Sequence, residues 1–89
     1  MFQMDMIFNT VIVRLPFVRM EIVLDRGKET YQQDHAAIQM WAANHIEILE
    51  EHDFAGIGRI AATQFPRVMT VTVTDPESGC GVVVHPEPL

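Results

Sequence analysis

Alternating hydrophobic and polar positions predict the strands of this chain. The clearest run is 67–74, in which three threonines alternate with apolar side chains. Residues 17–24 alternate in the same way, and residues 6–15 are rich in β-branched and aromatic types. Such patterns are typical of β-strands that bury one face, so we predict a strand in each run. In the run 67–74, the side chains expected to face the core are Met69, Val71 and Val73.

A longer period predicts one helix within residues 30–53. Hydrophobic positions recur about every 3.6 residues there, and Thr30 with Gln33 fits a capping box at the start of the run. Asp34 is an alternative cap. The face expected to be buried contains Tyr31, Ile38, Trp41, Ala42, His45, Ile48 and Leu49. The opposite face contains Gln33, Asn44, Glu47 and Glu51, with Met40 among them.

The remaining segments complete the predicted topology. Two glycines within 54–58 suggest the end of the helix. Residues 59–65 are a weaker strand candidate, and residues 80–85 read as the hairpin partner of 67–74. The order is then ββαβββ, or ββαββ if 59–65 is a loop. We predict a single small α+β domain over 1–89, with one antiparallel sheet of four to five strands and one long helix packed on one face.

Charge is concentrated in the predicted helix. The chain has 89 residues and a net charge of −6, and no Lys or Arg occurs between residues 29 and 53. The acidic residues in that segment are Glu29, Asp34, Glu47, Glu50, Glu51 and Asp53. The last four would lie in the final turns, where the helix dipole disfavours anions. We therefore predict a partner-binding surface made of Glu47, Glu50, Glu51, Asp53 and Asp34. The alternative is a solvated face whose acids pair with Arg59 and Arg67.

Composition excludes several classes of function. An acidic chain is unsuited to direct contact with nucleic acid, because phosphate binding needs basic patches. No apolar run approaches the roughly 20 residues that cross a bilayer, so we expect no membrane contact. Cys80 is the single cysteine, and the first residues lack the basic start of a signal peptide. These features favour a cytoplasmic location.

The candidate reactive residues do not form a recognisable catalytic or ligand motif. His45 and His52 are seven residues apart on the predicted helix, whereas a shared metal favours a spacing of four. The spacing Gly-x-Gly-x-x-Ala over 56–61 follows a helix, whereas a dinucleotide site requires a preceding strand. Cys80 lacks an activating neighbour, and we expect it to be half-buried and structural. We predict no catalytic residue, no metal and no cofactor.

Size and charge together favour a small protein-binding module that acts by occupancy. The concrete version is an inhibitor of the phage, mobile-element or immunity type, analogous in size and charge to anti-CRISPR proteins. Its acidic helix would bind a basic protein and block the cleft that normally holds nucleic acid. One alternative is a homodimeric ligand-binding protein or enzyme, with a pocket between sheet and helix formed by Tyr31, Trp41, His45 and His85. Another alternative is a structural subunit of a larger assembly.

Overall fold

Five antiparallel strands form one sheet, and three helices connect the third strand to the fourth. The computed structural model describes residues 3–25, 31–65 and 67–86. The strands lie in the sheet in the order of the chain. The predicted α+β class and the single antiparallel sheet are confirmed. The elements are β1 (Gln3–Ile7), β2 (Thr10–Leu15), β3 (Val18–Leu24), α1 (Tyr31–Asn44), α2 (Ile46–Glu50), α3 (Phe54–Gln64), β4 (Val68–Thr74) and β5 (Gly81–Val84).

The core lies between one face of the sheet and the three helices. The alternation predicted for β3 is confirmed, because every second side chain from Val18 to Leu24 is buried. The helices contribute buried residues that include four of the seven on the predicted face, namely Ile38, Trp41, Ala42 and Leu49. The other face of the sheet, which we call the open face, faces away from the helices. It includes Thr70, Thr72, Thr74 and Val83, which alternate with the core positions of β4 and β5.

The strand predicted over 6–15 is in fact a hairpin. The chain turns at Phe8 and Asn9, so that Ile7 pairs with Thr10. The prediction was wrong because this turn has no glycine, and Phe8 itself adopts the left-handed backbone conformation with φ of 54°. Asn9 holds the hairpin against the end of β3. Its side-chain amide donates to the carbonyl of Leu24 at 2.8 Å, and its own carbonyl accepts from the Leu24 N–H at 2.7 Å.

The predicted helix over 30–53 is interrupted at His45. Within the ring of His45, Nδ1 lies 2.7 Å from the carbonyl oxygen of Trp41, four residues earlier. A carbonyl only accepts, so Nδ1 carries the proton. The backbone N–H of His45 bonds instead to Ala42, three residues earlier, at 3.3 Å. The chain therefore leaves α1 and begins α2. Thr30, the predicted cap, lies outside the described residues, and no described helix is long and apolar enough to cross a membrane.

The weak strand predicted over 59–65 is wrong, because these residues belong to α3 and its end. The glycines taken for the end of a helix lie inside α3, and Asp53 caps its first turn. Gly58 is buried where α3 packs on the sheet. A Cβ atom at this position would lie 2.5 Å from Cγ2 of Val84 on β5. Gly58 therefore permits close approach of helix and sheet, a tertiary requirement that resembles a helix-ending signal in the sequence.

A bulge in β4 changes which side chains reach the core. Val23 pairs with Thr70 and Leu24 pairs with Val68, so Met69 has no partner on β3. The prediction that Met69 faces the core is wrong: it is about half exposed, and Val68 is buried instead. Beyond the bulge the predicted alternation is confirmed, since Val71 and Val73 are fully buried. A single extra residue shifts the pattern in this way because side chains alternate with a period of two.

Candidate functional site

Three of the predicted acidic residues lie together on α2 and its C-cap, Glu51. Glu47, Glu50 and Glu51 are all exposed. Residues three and four apart are neighbours on a helix surface, so Glu50 and Glu51 both lie beside Glu47. No ion pair or side-chain hydrogen bond of these glutamates occurs within the part of the chain that the structure describes. We call Glu47, Glu50 and Glu51 the acidic surface.

Asp53 has a structural role next to this surface. Its side chain accepts a hydrogen bond from the Gly56 N–H at 2.7 Å, and its carbonyl accepts from Ile57 at 2.9 Å. It is therefore the N-cap of α3. The predicted placement of Asp53 and Glu47 at the C-terminal end of a helix is wrong, because the break at His45 leaves Glu47 in the first turn of α2. Helix dipoles favour an acid at both positions.

Asp34 lies apart from the acidic surface. It is in the first turn of α1, about 15 Å along the helix axis from Asn44 at the rise of an α-helix. Its partly buried carboxylate lies 3.8 Å from Nε of Arg67. Arg67 therefore pairs with Asp34, whereas the predicted pairing concerned the acids at the end of the helix. Among the described residues, Arg59 forms no ion pair with the acidic surface.

An open cleft lined by both apolar and polar side chains adjoins the acidic surface. It has a volume of about 570 Å³. The residues that line it are Ala43, Asn44, Ile46, Glu47 and Ile48. Ile48 is 48% exposed, although the helical period predicted it to be buried. Met40, one turn before Ala43 on α1, is 69% exposed. The position of Met40 among polar residues on the helical wheel agrees with its exposure.

The residues considered for a ligand pocket are only partly brought together. Trp41 is buried, its ring stacks on His45 with centroids 5.8 Å apart, and it meets Phe65 edge-on at 5.5 Å. Its Nε1 atom is buried and has no hydrogen-bond partner among the described residues. His85 is exposed just after β5, and the side chain of Tyr31 lies outside the described residues. Within the described ranges, no three His, Cys, Asp or Glu side chains are grouped to hold a metal ion.

Cys80 is exposed, so the prediction of a half-buried cysteine is wrong. β5 begins one residue later, at Gly81, and Cys80 belongs to the turn before it. Its backbone N–H donates to the hydroxyl of Ser78 at 3.2 Å. A residue in a turn at the edge of the sheet has no layer above it to cover its side chain.

Comparison of the whole chain with family models, curated proteins and solved structures found no match.

Proposed function

We propose that this protein is a small protein-binding module that acts by occupying a basic surface of a partner. The observation that carries the proposal is the position of the acidic surface beside an open cleft. Glu47 belongs to both, and Ile48 places an exposed apolar side chain next to the glutamates. None of the three glutamates is paired within the described chain. Exposed apolar side chains bordered by charge are characteristic of protein contact sites.

The two components of this surface supply different parts of binding. Burying Ile48 against an apolar side chain would stabilise a complex through the hydrophobic effect, at about 25 cal/mol per Å² of apolar surface removed from water. The glutamates at the rim would attract Lys and Arg on the partner and raise the rate of association. The chemistry that fits is therefore a partner segment with an apolar side chain surrounded by basic ones.

The concrete form of the proposal is an inhibitor of a nucleic-acid-binding protein. Clefts that hold nucleic acid are lined with Lys and Arg, and Glu47, Glu50 and Glu51 offer these cations carboxylates in place of phosphates. The charge of the whole chain, −6, would add to the attraction. The single cysteine is in keeping with a cytoplasmic target.

The test compares a variant that removes negative charge from the acidic surface with a control variant that changes the net charge equally at another site. The partner is captured from a nuclease-treated lysate of the source organism, identified by mass and purified. Its affinity is then measured for wild type, for the Glu47→Gln, Glu51→Gln double variant and for Glu77→Lys. Both variants change the net charge by the same amount, and Glu77 is exposed in the turn before β5.

The double variant is expected to bind more weakly, mainly because it associates more slowly at low salt. Glu77→Lys should bind nearly as wild type. The captured partner should also lose its nucleic acid in a competition assay when wild type is added. Equal affinities for wild type and the double variant at low salt would exclude the acidic surface as the contact. A partner that binds its nucleic acid unhindered would exclude the inhibitor form alone.

A further inference from the structure

β5 is a four-residue edge strand that contains no charged residue and no proline. It pairs only with β4, at the end of the sheet. No Asp, Glu, Lys or Arg lies between Glu77 and Glu87, and β5 itself reads Gly-Val-Val-Val. Edge strands are normally protected from association by charges, proline or a bulge. The opposite edge, β1, carries Asp5 in an ion pair with Arg14, whereas Val83 at the β5 edge is 57% exposed.

The direction of the free backbone groups of β5 follows from one hydrogen bond. The carbonyl of Cys80 accepts from the N–H of Asp75, at the end of β4, at 2.8 Å. In an antiparallel pair the residues bond alternately towards the neighbouring strand and away from it. The N–H and C=O groups of Val83 therefore point away from β4. Gly81 departs from regular strand geometry, because a Cβ atom there would clash with the carbonyl oxygen of Val73. The same alternation places the backbone N–H and C=O groups of His85, one residue beyond β5, at the same edge.

We propose that β5 binds β5 of a second copy of this chain, antiparallel and about a two-fold axis at Val83. Residues that face each other across a ladder share a face of the sheet, which allows Val83 to meet the second copy's Val83 and Gly81 to meet its His85. This register joins the two Val83 residues in a reciprocal hydrogen-bonded pair at the axis. The two sheets become one continuous sheet, and both copies of α3 remain on the same side.

Symmetry and charge favour a second copy as the occupant. A two-fold pairing of β5 with itself closes after two chains, whereas pairing of β5 with β1 would continue without end. Each chain carries a net charge of −6, so two copies repel each other. The repulsion is weakest where they meet through an edge without formal charge, and residues 78–86 contain no Asp, Glu, Lys or Arg. The proposal uses none of the residues of the acidic surface, so it stands or fails independently of the proposed function.

The first test measures the oligomeric state of the full chain by analytical ultracentrifugation. Wild type is compared with Val83→Lys and with Thr72→Lys. Thr72 faces Val83 across the β4–β5 ladder, on the same open face but one strand inward. We expect wild type to form a concentration-dependent dimer. Val83→Lys should raise the dimer Kd roughly tenfold or more, which corresponds to about 1.4 kcal/mol, and Thr72→Lys should leave it unchanged.

The second test is a crosslink across the proposed axis and uses no disruptive charge. In a Cys80→Ser background, Val83→Cys should form a disulfide-linked dimer on mild oxidation. Opposed Cα atoms in a hydrogen-bonded pair are about 5.5 Å apart, which a disulfide can span. Thr72→Cys in the same background should not crosslink. A wild type that stays monomeric up to millimolar concentration, or equal crosslinking of the two cysteine variants, would overturn the proposal.

Discussion

The carboxylate of Asp53 accepts a hydrogen bond from the backbone N–H of Gly56, with the two atoms 2.7 Å apart. This contact satisfies one of the backbone donors that a helix leaves free at its start. The contact also distinguishes Asp53 from the nearby Glu51, whose side chain has no such hydrogen bond among the described residues. An acid next to the acidic surface is thus accounted for by the fold, and its charge and its acceptor oxygen can be tested separately.

Asp53→Ala is expected to lower the free energy of unfolding by about 1 kcal/mol, the usual effect of losing an N-cap. Asp53→Asn keeps an acceptor oxygen at the same place and should stay within about 0.5 kcal/mol of wild type. Urea unfolding followed by circular dichroism measures both. Equal losses in the two variants would mean that the charge, and not the cap, stabilises α3.

Leu49 and Ile48 are adjacent in α2 but differ in environment. Leu49 is fully buried, so Leu49→Ala should cost about 2–5 kcal/mol by leaving a cavity. Ile48→Ala should cost less than about 1 kcal/mol, because the side chain already contacts water. Thermal melts of the two variants make the comparison. If Ile48→Ala is the more damaging, the orientation of α2 on the sheet is wrong.

Phe8 is held in a left-handed conformation that costs an L-residue about 1–2 kcal/mol. Its side chain is 87% exposed and recovers little of this by packing. Phe8→Gly should therefore stabilise the fold by about 0.5–1 kcal/mol, after the greater flexibility of glycine in the unfolded chain is counted. Phe8→Ala keeps the strain and should match wild type within about 0.5 kcal/mol. Denaturant midpoints measure both, and a less stable Phe8→Gly would show that the ring contributes to folding.

Val71 and Thr72 report the register of β4. Val71 is fully buried among the core residues, so Val71→Lys should prevent folding, because an unpaired charge cannot be buried. Thr72→Lys places the charge on the open face opposite Glu21 and should be tolerated. Circular dichroism and a proton spectrum of each variant decide the outcome. The reverse result would place β4 one residue out of register.

The features that the sequence predicted correctly are those with a regular period. Alternation identified β3 and most of β4, and the 3.6-residue period identified Ile38, Trp41, Ala42 and Leu49 as core. In the candidate site, the absence of Lys and Arg identified the segment that carries Glu47, Glu50 and Glu51. Whether this surface binds a partner stays a prediction. The correct assignments of strands and core residues rest on side chains that meet the same environment at regular intervals.

The features that escaped prediction depend on specific contacts that the hydrophobic period does not reveal. Gly58 lies inside α3 and does not end a helix. Its lack of a side chain allows α3 to pack closely against Val84. The break at His45 depends on a side chain that takes the carbonyl of Trp41 from the helix ladder. The turn at Phe8 has no local signal, and Asn9 fixes it through Leu24. These interactions follow from the folded arrangement and not from local residue preferences.

The sheet contains one ladder, between β3 and β4, whose strands are not joined by a short turn, because all three helices lie between them. Such a ladder forms only after a long stretch of chain has closed into a loop, which limits the speed of folding more than the final stability. We expect Val71→Ala, opposite Ile22 in this ladder, to slow refolding in stopped-flow measurements. Refolding at the wild-type rate would mean that β3 and β4 pair after the rate-limiting step of folding. The helical connection, which carries the acidic surface, would then not set the folding time.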